Sequence, residues 1–123
     1  MEDRSPDAMT LAEAQAAVHA WITTVGVRYF SELSNLAQLT EEVGELARVL
    51  NRRYGDQSAK PGDPAASDER LAAEFADVLF VVLALANQTG VDLTAALRAN
   101  LDAKTRRDAT RHWDNPKLNP PRP

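Results

Sequence analysis

Residues 67–90 read SDERLAAEFADVLFVVLALANQTG, and this stretch decides the fold class. Ser67 followed by Asp68 and Glu69 offers a cap and two acids to a helix start, and Gly90 offers the stop. From Val78 to Ala86 the chain is apolar without a break. A helix that is apolar all round has to be buried on several sides, in the core and against a partner subunit. The unbroken run is far short of the ~20 residues that cross a bilayer, so the stretch predicts a core helix.

The flanking sequence extends the same reading. All seven prolines fall at the chain ends or in one central stretch, which leaves two long zones free of helix breakers. Thr10-Leu-Ala-Glu13 has capping-box spacing and opens a first helix with a stripe of Leu11, Ala14, Val18, Trp21, Ile22 and Val25, ending near Gly26. Ser34 is the expected cap of a second helix that runs to about Tyr54, with Arg52 and Arg53 in its last turn and Gly55 beyond. Asp92 caps a fourth, to about Arg107. The prediction is an all-α domain over residues 10–113, between an N-terminal tail (1–9) and a Pro-rich, mobile C-terminal tail (114–123).

Composition narrows the function classes. With 123 residues one core is expected, and 14 Lys and Arg against 18 Asp and Glu leave a net charge of −4, which argues against a duplex nucleic-acid partner. There is no cysteine and only two histidines, His19 and His112, so any metal has to use oxygen ligands. The N-terminus MEDRSPDAMT has no basic segment followed by an apolar one, and a cytoplasmic protein without membrane association is expected.

The acids are the unusual feature. A stripe of Leu36, Leu39, Val43, Leu46 and Leu50 defines the core side of the second helix, with Glu42 roughly 80° and Glu45 roughly 140° from its centre. Glu41, Glu42 and Glu45 crowd one turn, which a solvated acidic face would also explain. The third helix repeats the i, i+3 spacing with Glu74 and Asp77, and Asp77 points with Phe80, Val81 and Ala84, so at least partial burial is expected. A buried carboxylate has to be protonated, paired with Arg or Lys, or bound to metal. Two antiparallel helices that aim acid pairs at one point favour a metal, and an all-carboxylate set selects Mg²⁺ or Mn²⁺ over zinc.

Glu41-Glu42-Val43-Gly44-Glu45-Leu46 followed by Glu74-Phe75-Ala76-Asp77 resembles the EExxE…ExxD pattern of MazG-like nucleoside triphosphate pyrophosphohydrolases. The resemblance to the small single-domain, YpjD-like branch spans roughly residues 29 to 113 and includes the Arg-Tyr-Gly helix end and the run DVLFVVLALAN. It implies a four-helix bundle completed by dimerisation, as a homodimer or a dimer of dimers. It further implies that Glu42, Glu45, Glu74 and Asp77 hold Mg²⁺, with Mn²⁺ as a substitute, and that Glu41 orients or deprotonates the attacking water. The implied reaction splits a nucleoside triphosphate between the α and β phosphates in nucleotide-pool house-cleaning. A non-catalytic helical dimer with a structural or regulatory metal site is the alternative.

The segment from Arg98 to Arg111 concentrates basic residues. Lys104 and Arg107 are candidate phosphate contacts and Asn100 a candidate sugar or phosphate contact, against ordinary charges at a helix C-terminus. Trp21 reads as core, with base stacking as the alternative. Tyr29, Phe30 and Asn35 could border a base pocket, His19 and His112 read as surface residues, and the loop Asp56 to Ala66 is a mobile connection or a lid.

Overall fold

The computed structural model describes residues 4–63 and 67–119, which form four α-helices and, among the described residues, no strand. Part of the Asp56 to Ala66 loop and the ends of both tails lie outside the described residues. Helix α1 spans Leu11–Thr24 and opens with the expected capping box, Thr10 Oγ1 accepting from the Glu13 N–H while Glu13 reaches back to the Thr10 N–H. Helix α3 spans Asp68–Thr89, capped by Ser67 and closed by Gly90 at φ 70°, where the left-handed region favours glycine. Helix α4 spans Leu93–Asp108, and Asp92 accepts from the N–H groups of Thr94 and Ala95.

Helix α2 starts three residues earlier than expected, at Glu32, and spans Glu32–Tyr54. Its cap is Ser31, whose Oγ accepts from the Ser34 N–H at 3.2 Å. Ser34 is thus the third helical residue, the one that donates to a cap, and the side chain of Ser31 supplies the acceptor. As a result Asn35 lies inside the first turn.

Helix α3 is central to the first three helices and packs on both α1 and α2. The core comprises Val18 and Ile22 of α1, Val49 of α2, and Val81, Leu83, Ala84 and Ala86 of α3. The expected stripe on α2 holds in part: Leu39, Leu46 and Leu50 are half-buried, Leu36 and Val43 are half exposed, Asn35 is buried and Glu42 half-buried. Asn35 forms a hydrogen bond with Gln88 near the end of α3, so a polar residue of α2 faces inward there. By length and composition α3 could cross a membrane, but part of its apolar surface packs against α1 and α2 and its acids meet an acid of α2.

The chain divides into two compact units, one ending at Val91 and the other starting at Asp92. In the second, no residue of α4 is buried. Residues 109–119 form successive turns. Asparagines do what apolar contacts do not: Asn119 Nδ2 donates to the carbonyls of His112 (2.6 Å) and Trp113 (3.1 Å).

Candidate active site

Three carboxylates converge between α2 and α3. Glu42, Glu74 and Asp77 each offer an oxygen within 4.8 Å of the others. The degree of burial differs from expectation: Glu74 is the sealed acid, at 2 % exposure, while Asp77 is exposed. One oxygen of Glu74 is paired, since Oε1 accepts a 2.6 Å ion pair from Arg70 one turn earlier, so the Arg partner expected of a buried acid is present. The other, Oε2, is buried with no partner. Burial first, then the charges of Asp77, Glu74, Glu45 and Glu41, raise the Glu42 carboxyl above the ordinary glutamate value. An unpaired buried carboxylate oxygen facing two further acids is costly unless a cation is bound there, so the donor set fits a hard divalent metal. Glu45 and Glu41 are exposed and outside this trio; Glu45 acts on Glu42 through its charge.

A cavity of ≈ 330 Å³ opens from this cluster. Glu42 and Asp77 line its acidic end, and Trp21, Phe30, Phe80, Asn35 and Gln38 line much of the remainder. Trp21 is corrected from core to cavity wall: it is half exposed and meets the edge of Phe80 at a centroid distance of 5.5 Å and 90°. An indole with one face in solvent is available for stacking. Tyr29, Phe30 and Asn35 all line the cavity, as the base-pocket reading anticipated. Gln38, Arg28 and Phe80 are additions. The signal for Gln38 was spacing, three residues beyond Asn35 and four before Glu42 on one helix face.

The segment between α1 and α2 is held in place by side chains. Tyr29 OH bonds His19 Nδ1 at 2.8 Å and accepts from Asn87 Nδ2 at 3.2 Å. Val27 adopts φ 72°, a conformation that costs a β-branched residue on the order of 1–3 kcal/mol, and the Arg28 N–H bonds the Gly26 carbonyl at 2.8 Å. The strain is therefore stored beside the cavity.

On α4, Asn100 and Lys104 are exposed, while Arg107 is engaged by Asp108 through Nη2 at 2.8 Å and Nε at 3.2 Å. Arg107 and Arg111 hold the Asp108 carboxyl down at about 2. His19 and His112 are exposed.

The sequence model of the MazG nucleotide pyrophosphohydrolase domain matches residues 30–112, a span that includes every acid of the cluster. The chain belongs to the MazG family. It is 42% identical over 87 residues to YpjD of Bacillus subtilis (strain 168), covering 71% of this chain and 76% of that one. It is 37% identical over 92 residues to the dATP/dGTP diphosphohydrolase of cyanophage S-2L, covering 75% and 70%. Among solved structures, a Bacillus-conserved MazG protein described as a nucleotide pyrophosphohydrolase superimposes with a TM-score of 0.66 at 35% identity, covering 79% of this chain and 90% of that one. YPJD from Bacillus subtilis does so at 0.64 and 37%, covering 82% and 93%. As a MazG protein the chain is a hydrolase of nucleotide phosphoanhydride bonds. The family uses divalent metals, in keeping with the three-acid cluster.

Proposed function

We propose that this MazG protein hydrolyses deoxynucleoside triphosphates to monophosphate and pyrophosphate in nucleotide-pool house-cleaning. The observation that carries the reading is Glu74 Oε2, buried and unpaired beside Glu42 and Asp77 at the acidic end of a cavity with aromatic and amide walls. Such a site suits a ligand with a highly charged end and a flat heteroaromatic end. The cyanophage relative is named for dATP and dGTP, which supports deoxypurine substrates.

In this reading Glu42, Glu74 and Asp77 hold Mg²⁺, or Mn²⁺ in its place, and Glu45 completes the set from the next turn of α2. The bound metal supplies neutralisation of triphosphate charge and a more acidic water. Glu41, exposed on α2, orients the attacking water and takes its proton. As the water oxygen bonds the α phosphorus, the bond from that phosphorus to the α–β bridging oxygen breaks, and pyrophosphate leaves with that oxygen. Asn100, Lys104 and Arg107 contact sugar and phosphates, Arg107 after leaving Asp108. The enzyme acts in the cytoplasm as a homodimer or a dimer of dimers, without nucleic acid or membrane. Exposed apolar residues at helical spacing, Leu36 and Val43 on α2 and Phe75 and Leu79 on α3, support that assembly.

The test is a panel of nucleoside triphosphates with Mg²⁺, followed by monophosphate and pyrophosphate release. Turnover of dATP and dGTP is expected, and Glu41→Gln should lose it while keeping the Mg²⁺-induced rise in melting temperature. If no triphosphate turns over while Mg²⁺ still stabilises the protein, the catalytic reading fails and a structural metal site remains.

A further inference from the structure

The cavity contains a polar group of fixed direction whose role the hydrolytic reading leaves open. Asn35 lines the cavity and is only 7 % exposed. Its amide nitrogen is committed, since Nδ2 donates to Gln88 Oε1 at 2.7 Å and to the Phe30 carbonyl at 3.4 Å. Gln88 Nε2 donates to the same Phe30 carbonyl at 2.5 Å. The orientation of both amides follows from that carbonyl, which has no hydrogen to give. Gln88 must turn its nitrogen toward Phe30 and its oxygen toward Asn35, and Asn35 must answer with its nitrogen. The polar atom left to Asn35 is Oδ1, which accepts from no group among the described residues. It is not among the sealed unpaired atoms either, so it stays accessible.

The direction of this atom matters because the donors next to it, the Tyr29 hydroxyl and the Asn35 amide nitrogen, are engaged, while Gln38 lies one turn nearer the acids on α2. The Tyr29 hydroxyl is held by His19 and Asn87, and the Asn35 amide nitrogen is bonded to Gln88 and to the Phe30 carbonyl. Along the inward edge of α2, Asn35, Gln38 and Glu42 follow at helical spacing, so Asn35 lies about two turns, roughly 10 Å at ~1.5 Å per residue, from the acidic end. A nucleotide whose phosphates reach the acids presents the base edge farthest from its sugar to that position. We infer that Asn35 Oδ1 reads the base, accepting a hydrogen bond from an exocyclic amino group, so that adenine, guanine or cytosine is preferred over uracil, thymine or hypoxanthine. A base without an amino group offers Oδ1 only a ring N–H flanked by carbonyl oxygen, and a carbonyl set against Oδ1 leaves both oxygens unpaired. Gln88 is the positioning residue that keeps the acceptor forward. This inference rests on the hydrolase reading above and specifies the substrate class of that site.

The experiment measures kcat/KM for dATP, dGTP, dCTP, dTTP, dUTP and dITP with Mg²⁺. It then compares the best amino-bearing substrate with its counterpart lacking that group: purine 2′-deoxyriboside triphosphate for dATP, dITP for dGTP, 2-pyrimidinone 2′-deoxyriboside triphosphate for dCTP. The best substrate is expected to carry an amino group, and its loss to lower kcat/KM about 10- to 100-fold, the range for one buried acceptor left unpaired. Asn35→Ala should bring the ratio near one, whatever the absolute rate. Gln88→Leu frees the Asn35 amide to turn and should also shrink the ratio, which keeps the test in hand if Asn35→Ala does not fold. A best substrate without an amino group, or a ratio unchanged in both variants, overturns the inference. Binding of the α,β-imido forms of the same pair separates the two failures. An amino preference in binding without turnover counts against the hydrolase reading alone, and turnover with a ratio of one counts against base reading alone.

Discussion

Charge is handled in opposite ways at the two places where this chain concentrates it. At the end of α4, Arg107 and Arg111 both bond Asp108, and every partner of that carboxylate lies within three residues of it. Between α2 and α3, Glu42, Glu74 and Asp77 meet from two helices with Arg70 paired to Glu74, and leave a sealed oxygen with nothing to accept from. The first arrangement is complete as the chain stands. The second is complete only with a cation from outside. A cluster of charged residues signals a ligand when its charges fail to cancel locally.

The largest expected effect breaks the second arrangement. Asp77→Asn or Glu74→Gln should lower kcat/KM by about 10³-fold, ~4 kcal/mol at 1.36 kcal/mol per tenfold, and EDTA should abolish turnover of the unaltered protein. Turnover that persists in EDTA would remove the metal from the account. Next in size is a stability effect of opposite sign. Without metal, Asp77→Asn removes one of the charges that raise the Glu42 carboxyl, so its melting temperature should exceed that of the parent chain by a few degrees. With Mg²⁺ the order should reverse, because the parent gains a ligand and the variant loses one. Calorimetry in EDTA and in Mg²⁺ reads both; a variant less stable in both conditions would mean that Asp77 is an ordinary structural acid.

How much of this was legible in the sequence depends on the range of the interaction. Thr10, Ser67, Gly90 and Asp92 were readable because a cap acts within three residues, and the acid pairs because i, i+3 spacing survives folding. The burial of Asn35 was not, since its partner Gln88 lies 53 positions away, and apolar periodicity carries no record of such a pair. Trp21 was misplaced for the same reason: a stripe marks a face but not whether a neighbour covers all of it. The Arg70–Glu74 pair had an i, i+4 signal in plain view, yet which of Glu74 and Asp77 is buried depended on how α2 packs.

A smaller effect separates the basic residues of α4. Lys104 is exposed with no partner among the described residues, whereas Arg107 is held by Asp108. If phosphate is contacted from this helix, Lys104→Ala should raise KM about tenfold, near the lower range for one hydrogen bond to a charged group, and Arg107→Ala should change it less. Equal losses would mean that Arg107 leaves Asp108 at no cost when substrate binds.

The smallest effect concerns Asp108 itself. Its carboxyl is held at about 2, below the ordinary 3.8, first by hydrogen bonding to Arg107 and then by Arg111. A depressed native value means that the unfolded chain binds the proton more readily, so this contribution is present above pH ~4 and is lost as pH falls toward 2. Asp108→Asn should therefore melt slightly below the parent chain at pH 7, by a few degrees at most for so exposed a pair of cations, and the gap should close between pH 4 and pH 2. Salt should narrow the same gap at pH 7, because the two arginines face solvent. A gap that stays constant down to pH 2 would show that Asp108 acts there through packing and not through its charge, and the end of α4 would no longer serve as the self-neutralised counterpart of the acid cluster.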